Sequence, residues 1–211
     1  MIAVHSTYKR KRNRAVRERA LILAASRLFA SRGFEATKTR EIAALAGCAE
    51  GLIHRYFNSK SGLLLALIRH RVSREMIDLH QKLPVAATLE AEIVQLVDWE
   101  VRRMWDEREF LKVTVPRALL DGRLGRSITR TSIARRSDAI RERLNTFKEH
   151  MPKQELDAVA EFVSATGFVF GFARPVILRQ DPGDARRTAN VIAGMLAGRF
   201  RQSSSGRNGR N

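Results

Sequence analysis

The feature that most constrains this chain is a pair of short apolar helical periods joined by a glycine turn. Ile42, Ala43 and Ala46 mark one side of a helix of barely two turns, expected from about Thr39 to Ala46. Ile53 and Phe57 mark a second, from about Glu50 to Phe57. Between them lies Gly47-Cys48-Ala49-Glu50. Neither helix can bury its face alone, and a turn of about four residues containing glycine sets two helices at roughly 90–120°, so that the second can enter a major groove. Upstream, Leu21, Ala24, Leu28 and the adjacent line Ile22, Ala25, Phe29 predict a longer helix from Arg17. It should end at Arg32-Gly33, with Phe34 packing back.

Charge supports a polyanionic partner. The chain of 211 residues carries a formal charge of +17, with 39 Lys and Arg against 22 Asp and Glu. Residues 1–60 hold 13 of the basic side chains and only 4 of the acidic ones, and Lys9-Arg10-Lys11-Arg12-Asn13-Arg14 is the densest cluster. Such an arm suits a phosphate backbone or a minor groove. A hydrophobic content of 44% is enough for a core and excludes disorder throughout. The single cysteine, Cys48, forms no internal disulfide and builds no metal site. His5, His54, His70, His80 and His150 lack paired metal-ligand spacing, and Gly122-Arg123-Leu124-Gly125 reads as a turn at most. No cofactor, metal or catalytic constellation is expected. No apolar run is read as approaching the roughly 18 residues of a membrane span, and the cytoplasm is the expected compartment.

In fixed register the residues Leu21-Ile22, Ala24-Ala25, Leu28-Phe29, Gly33-Phe34, Thr37, Ile42-Ala43, Ala46-Gly47, Gly51, Ile53, Tyr56-Phe57 and Lys60 resemble the DNA-binding region of the tetracycline-repressor (TetR) family of bacterial transcription regulators. The resemblance covers roughly residues 17 to 65. The chain departs from the family's pattern at Lys38, which leaves Thr37 or Thr39 as the expected cap of the second helix, at Ala49, and at His54 in place of a tyrosine.

The expected fold is all-α: a basic flexible arm (1–16), a three-helix helix-turn-helix DNA-binding domain (17–62), a helical effector-binding and dimerisation bundle (63–200) and a flexible tail (201–211). A fourth helix should run from Gly62 to about Leu83, with further helical spans at 88–106, 108–121, 126–150, 153–178 and 183–200, and Pro116 should kink or break its span. The basic arm and Lys60 are expected on phosphates. Thr37, Lys38, Thr39, Arg40, Glu50, Gly51, Leu52, His54, Arg55 and Tyr56 are expected at the DNA. Glu50 serves either the helix dipole or a cytosine amino group.

By resemblance the last two helices pair across a twofold axis in a homodimer, and the bundle keeps an effector cavity. Trp99, Met104, Trp105, Phe110, Val115, Leu119 and Phe168 are the candidates to line it, with plain core packing as the alternative for each. Asp98, Glu100, Arg102 and Arg103 flank them as possible partners of a polar group. The expected function is a ligand-responsive repressor that binds a palindromic double-stranded operator as a dimer and answers to a small, mainly apolar effector. A DNA-coating architectural protein is the alternative reading, and a small-molecule enzyme a weaker one.

Overall fold

The computed structural model describes the backbone of residues 2–147 and 152–205, and the side chains of residues 13–147 and 152–200. All regular structure among the described residues is helical. The chain divides into two compact units, Met1–Ser73 with Lys112–Ile128, and Arg74–Leu111 with Thr129–Asn211.

The first unit holds α1 (Ile2–Ala36), α2 (Thr39–Leu45), α3 (Gly51–Phe57), the first half of α4 (Lys60–Lys82), most of α6 (Arg108–Leu120) and α7 (Gly122–Ile128). Helix α1 begins well before Arg17, so the segment read as a flexible arm continues its backbone. Gly33, at φ 78°, interrupts it where the glycine was expected to act. Leu21, Ala25 and Phe29 are fully buried, and the Phe34 ring folds back to 5.2 Å from Phe29. Ile42 and Ala43 from α2, Ile53 from α3 and Leu63, Leu64 and Leu67 from α4 complete this core. At the turn, Gly47 adopts φ 61°, and the Cys48 amide donates to the Ala43 carbonyl at 2.9 Å, closing α2.

A break at Pro116 and a turn at Gly122–Gly125 are not found, for physical reasons. Pro116 lies inside α6 without ending it, because proline forfeits one ladder bond and the ladder resumes with the Asp121 amide on the Arg117 carbonyl at 2.9 Å. Gly122–Gly125 opens α7 instead of remaining a turn, because the Asp121 carboxylate accepts from the Arg123 and Leu124 amides, both at 3.1 Å. That is an N-cap, and the Asp-Gly pair conceals it.

The second unit holds the rest of α4, α5 (Leu89–Asp106), α8 (Ala134–Leu144), α9 (Lys153–Phe168) and α10 (Pro182–Ser205). Wider π-helical turns at Thr129–Ile133 and Val169–Ile177 lead into α8 and out of α9, so the single span expected over 126–150 is made of the end of α7, a π-turn, α8 and a 3-10 turn at Asn145–Phe147; residues 148–150 lie outside the described set. Thr88 caps α5 by accepting from the Ala91 amide at 3.2 Å, and Asp181 caps α10 through the Asp184 amide at 2.9 Å, with Pro182 at the first helical position. Leu96, Val97, Ile140, Leu144, Ala160, Val163, Ala189 and Ala193 form the core. Helix α9 approaches α5 closely because Gly167 and Gly171 carry no side chain: a Cβ on Gly171 would stand 2.3 Å from the Val101 carbonyl oxygen. By length and composition Lys153–Ile177 is apolar enough to cross a membrane, which corrects the sequence reading of shorter apolar runs. Its Leu156, Val159, Ala160 and Val163 are buried in this unit's core.

Candidate nucleic-acid interface

The geometry of the reader begins at the start of α2. Lys38 is the N-cap residue, and its amide donates to the Glu41 carboxylate at 2.9 Å. Glu41 therefore closes the helix start, and neither threonine does. Thr37 is 1% exposed and donates its hydroxyl to the Gly33 and Leu28 carbonyls at 2.7 and 3.3 Å, so it fastens the end of α1 and does not face outward. Arg32 pairs with Glu41 at 3.1 Å. The Lys38 amide, helped by the Arg32, Lys38 and Arg40 charges, holds the Glu41 carboxyl below the ordinary carboxylate range against the opposing effect of burial. A depressed carboxylate stabilises the fold above its usual titration range and ceases to do so in acid, so the start of α2 weakens as pH falls.

Helix α3 is locked to α2 across the turn by the Thr39 hydroxyl, which donates to Glu50 Oε1 at 2.5 Å. One oxygen of Glu50 is thus already engaged inside the protein. Lys38, Arg40, Glu50, Gly51, His54 and Arg55 are exposed, while Thr39, Leu52 and Tyr56 are half-buried. Tyr56 lies beneath the Arg14 guanidinium, 5.1 Å from its ring centre, and Arg14 also pairs with Glu18 at 2.6 Å. Arg14, read from the sequence as the end of the basic arm, is thus packed on the Tyr56 ring. Asn58 ends α3 in the left-handed region at φ 65°. The side chains of Lys9, Arg10, Lys11 and Arg12 lie outside the described residues.

Lys60, expected on phosphates, is turned onto the end of α1. Its ammonium donates to the carbonyls of Phe34, Thr37 and Glu35 at 2.8, 3.1 and 3.4 Å and rests 4.3 Å from the centre of the Phe34 ring. Its three donors are spent on the end of α1. On the same ring lies Arg117 of α6, 5.2 Å from its centre and paired with Glu35 at 3.3 Å. Lys60→Met is therefore expected to lower the stability of the DNA-free protein by about 1–3 kcal/mol, read by thermal denaturation, and to leave the salt slope of DNA binding unchanged. A slope shallower by one unit with unaltered stability would return Lys60 to the phosphates.

The seven candidate effector-lining residues do not form one set. Trp99, Met104, Trp105, Phe110 and Phe168 belong to the second unit, and Val115 and Leu119 to the first. Leu119 is 81% exposed, Met104 is buried, and Phe168 stacks on Phe172 at 5.5 Å. Of the seven only Trp99 lines the cavity of about 440 Å³ between α4 and α5, which Glu75, Leu83 and Arg103 also line. Of the flanking charges, Asp98 accepts from Arg186 at 2.6 and 3.0 Å and from Asn190 at 3.2 Å, tying α5 to α10. Burial pushes the Asp98 carboxyl up, but these bonds and the charges of Arg102 and Arg186 outweigh it and leave it below the ordinary range.

A short helix pair with an exposed basic edge, braced by a long preceding helix, defines a helix-turn-helix DNA-binding protein. Residues 21–67 match the family model of bacterial regulatory proteins, tetR family. Over these residues the chain is similar to the TetR family. It is 37% identical over 82 residues to the HTH-type transcriptional regulator BetI of Rhizobium meliloti, a match covering 39% of this chain and 40% of that protein. The chain thus spans well under half the length of the curated relatives it matches. Among solved structures, a TetR-family transcriptional regulator from Mesorhizobium loti superposes with a TM-score of 0.68 at 17% identity, covering 87% of this chain and 96% of the other. The transcriptional regulator FadR from Bacillus subtilis, in complex with stearoyl-CoA, does so with a TM-score of 0.66 at 14% identity, covering 84% and 96%. These likenesses extend the fold over both units.

Proposed function

We propose that this protein is a ligand-responsive transcription regulator, a repressor that binds a palindromic operator as a homodimer in the cytoplasm and leaves it when a small molecule occupies the bundle. The observation that carries this reading is the exposed edge of Lys38, Arg40, Glu50, His54 and Arg55 on the two short helices, inside the segment that matches the TetR family. Phosphate contacts from the basic side chains supply affinity, and contacts to base edges supply sequence preference. FadR of Bacillus subtilis holds stearoyl-CoA, which supports small-molecule binding in a bundle of this fold. Helix α4 is continuous from Lys60 to Lys82, with residues to Ser73 in the reader's unit and the remainder in the bundle's. A ligand that prefers one arrangement of α4 by 1–3 kcal/mol would weaken DNA binding roughly 5- to 150-fold.

The dimer face we assign is the outer side of α10. Val191 is 62% and Met195 75% exposed, and Gly194 and Gly198 have open space above them, while Ala189, Ala193 and Ala197 point into the protein's own core. A charge at Ala193 or at the core-packed Phe170 would therefore disrupt folding and say nothing about subunit contact. Met195→Glu is the informative change. By light scattering its mass should fall to half that of the parent at an unchanged circular dichroism spectrum, and operator affinity should fall with it. A monomeric parent, or a Met195→Glu protein of unaltered mass, contradicts the assignment. A promoter–reporter assay in a deletion strain tests repression: rising output supports it and falling output overturns it.

A further inference from the structure

Residues 1–60 hold four acids, and three of them are ion-paired: Glu18 with Arg14 at 2.6 Å, Glu35 with Arg117 at 3.3 Å and Glu41 with Arg32 at 3.1 Å. Glu50 is the fourth. It has no cationic partner among the described residues, although it lies exposed on the same edge as Lys38, Arg40 and Arg55. Nor does its carboxylate serve the start of α3. No hydrogen bond joins that side chain to an amide of the helix, and the Leu52 and Ile53 amides already donate to the Ala49 and Glu50 carbonyls at 3.1 and 2.9 Å. An unpaired carboxylate on an edge that meets phosphates weakens binding to every sequence through repulsion. Only a contact that some bases offer and others lack can offset that cost.

The carboxylate is held in place by one bond. Thr39, the first residue of α2 and itself half-buried, donates its hydroxyl to Glu50 Oε1 at 2.5 Å across the turn. That bond restricts an otherwise flexible side chain and leaves Oε2, which no hydrogen bond reaches among the described residues, free to accept. An ionised carboxylate cannot donate, so the groove must supply the proton. Guanine shows only acceptors there, and thymine an acceptor and a methyl group. Adenine places its N6 donor beside the N7 acceptor, which repels a negative oxygen, whereas cytosine presents its N4 donor with no acceptor of its own alongside.

We infer that Glu50 is a specificity-determining residue, its Oε2 accepting from the N4 amino group of a cytosine in the operator, and that Thr39 is the positioning residue that fixes the carboxylate for this contact. The inference rests on the reading of α2 and α3 as a DNA reader and deepens it to one base and one pair of atoms. It also accounts for the absence of an internal cation on Glu50: a salt bridge there would occupy the oxygen that the base requires.

Selection of duplexes from a random pool by the full chain and by Glu50→Gln tests it, followed by anisotropy titrations of all four base pairs at the position where the two selections differ. The parent should select cytosine where Glu50→Gln selects adenine, because a carboxamide matches the N6 donor and N7 acceptor of adenine together. Replacing that cytosine should weaken the parent about tenfold and Glu50→Ala by less than about twofold. Glu50→Ala should also bind a scrambled duplex more tightly than the parent does, since it removes the repulsion. Thr39→Val should lose most of the discrimination at that one position, and Thr39→Ser should keep it. A bond that merely steadied the turn would instead weaken all four base pairs alike, and that result overturns the proposal. The same motif from the parent and Glu50→Gln overturns it too while leaving the reader in place, whereas a parent that selects no motif removes the regulator and this contact with it. If Glu50→Ala does not fold, Glu50→Gln and the two Thr39 variants decide.

Discussion

Replacing Arg143 by methionine is expected to cost about 3–5 kcal/mol of folding stability, the typical price of leaving a buried carboxylate without its cation. Arg143 is 3% exposed and Glu92 0%, and the two meet at 2.7 Å. The same guanidinium donates to the carbonyls of Leu79, Leu83 and Pro84 at 3.2, 2.5 and 3.1 Å. It thereby satisfies carbonyls where α4 ends, groups that no helical amide can reach. Methionine keeps the apolar stem and removes every donor. Urea denaturation followed by circular dichroism measures the loss, and a change under about 1 kcal/mol would mean that water serves these groups as well as arginine does.

Gly62→Ala is the second large effect. A Cβ at this position would stand 1.8 Å from the Phe57 carbonyl oxygen and 3.0 Å from its carbon, and both are backbone atoms that cannot swing aside. Phe57 is the last residue of α3 and Asn58 turns the chain into α4, so the clash falls on the joint that positions the recognition helix. Relief requires that joint to open, at about 1–3 kcal/mol or more. Operator affinity should fall at least about tenfold, with a lower melting temperature for the DNA-free protein. Gly51→Ala is the control, since nothing lies within 4 Å of a Cβ there, and its melting temperature should match the parent's. Equal melting of all three proteins would contradict the geometry of the α3–α4 joint.

These two positions also show what could be read from the sequence. The reader was legible because its signals are local: the period of Leu21, Ala25 and Phe29, the short periods at Ile42 and Ile53, and the glycines at 33 and 47 each act within a few residues. The helix start at Gly122 was displaced for an equally local reason, because Asp121-Gly122 reads as a turn until its carboxylate is seen capping two amides. Lys60 and Arg143 were not legible as structural residues. A basic side chain reads as solvated or DNA-facing, and only a contact distant in sequence shows its donors spent on carbonyls. One signal was present and unused: Glu92 and Glu100 fall in the apolar stripe of α5 with Leu89, Ile93, Leu96 and Val97, and Arg136 and Arg143 fall in that of α8 with Ile140 and Leu144. Opposite charges placed on two apolar faces imply a buried pairing, because neither helix could bury its charge alone.

The effector side was the less legible half. Aromatic and methionine side chains fill cores and line cavities alike, and of the seven singled out, Trp99 lines the cavity between α4 and α5 while Leu119 lies open to solvent. The polar members flanking them, Glu100 and Arg103, are the ones that the structure brings together with unpaired atoms.

The central claim is sequence-specific DNA recognition by the edge of α2 and α3, and fluorescence anisotropy tests it most directly. A duplex selected by the protein from a random pool is titrated beside a scrambled duplex of the same composition, each between about 50 and 200 mM salt. The account predicts at least about a thousandfold preference for the selected duplex and an affinity for both that falls linearly on logarithmic axes as salt rises. Equal affinity for the two duplexes, or binding indifferent to salt, would contradict it.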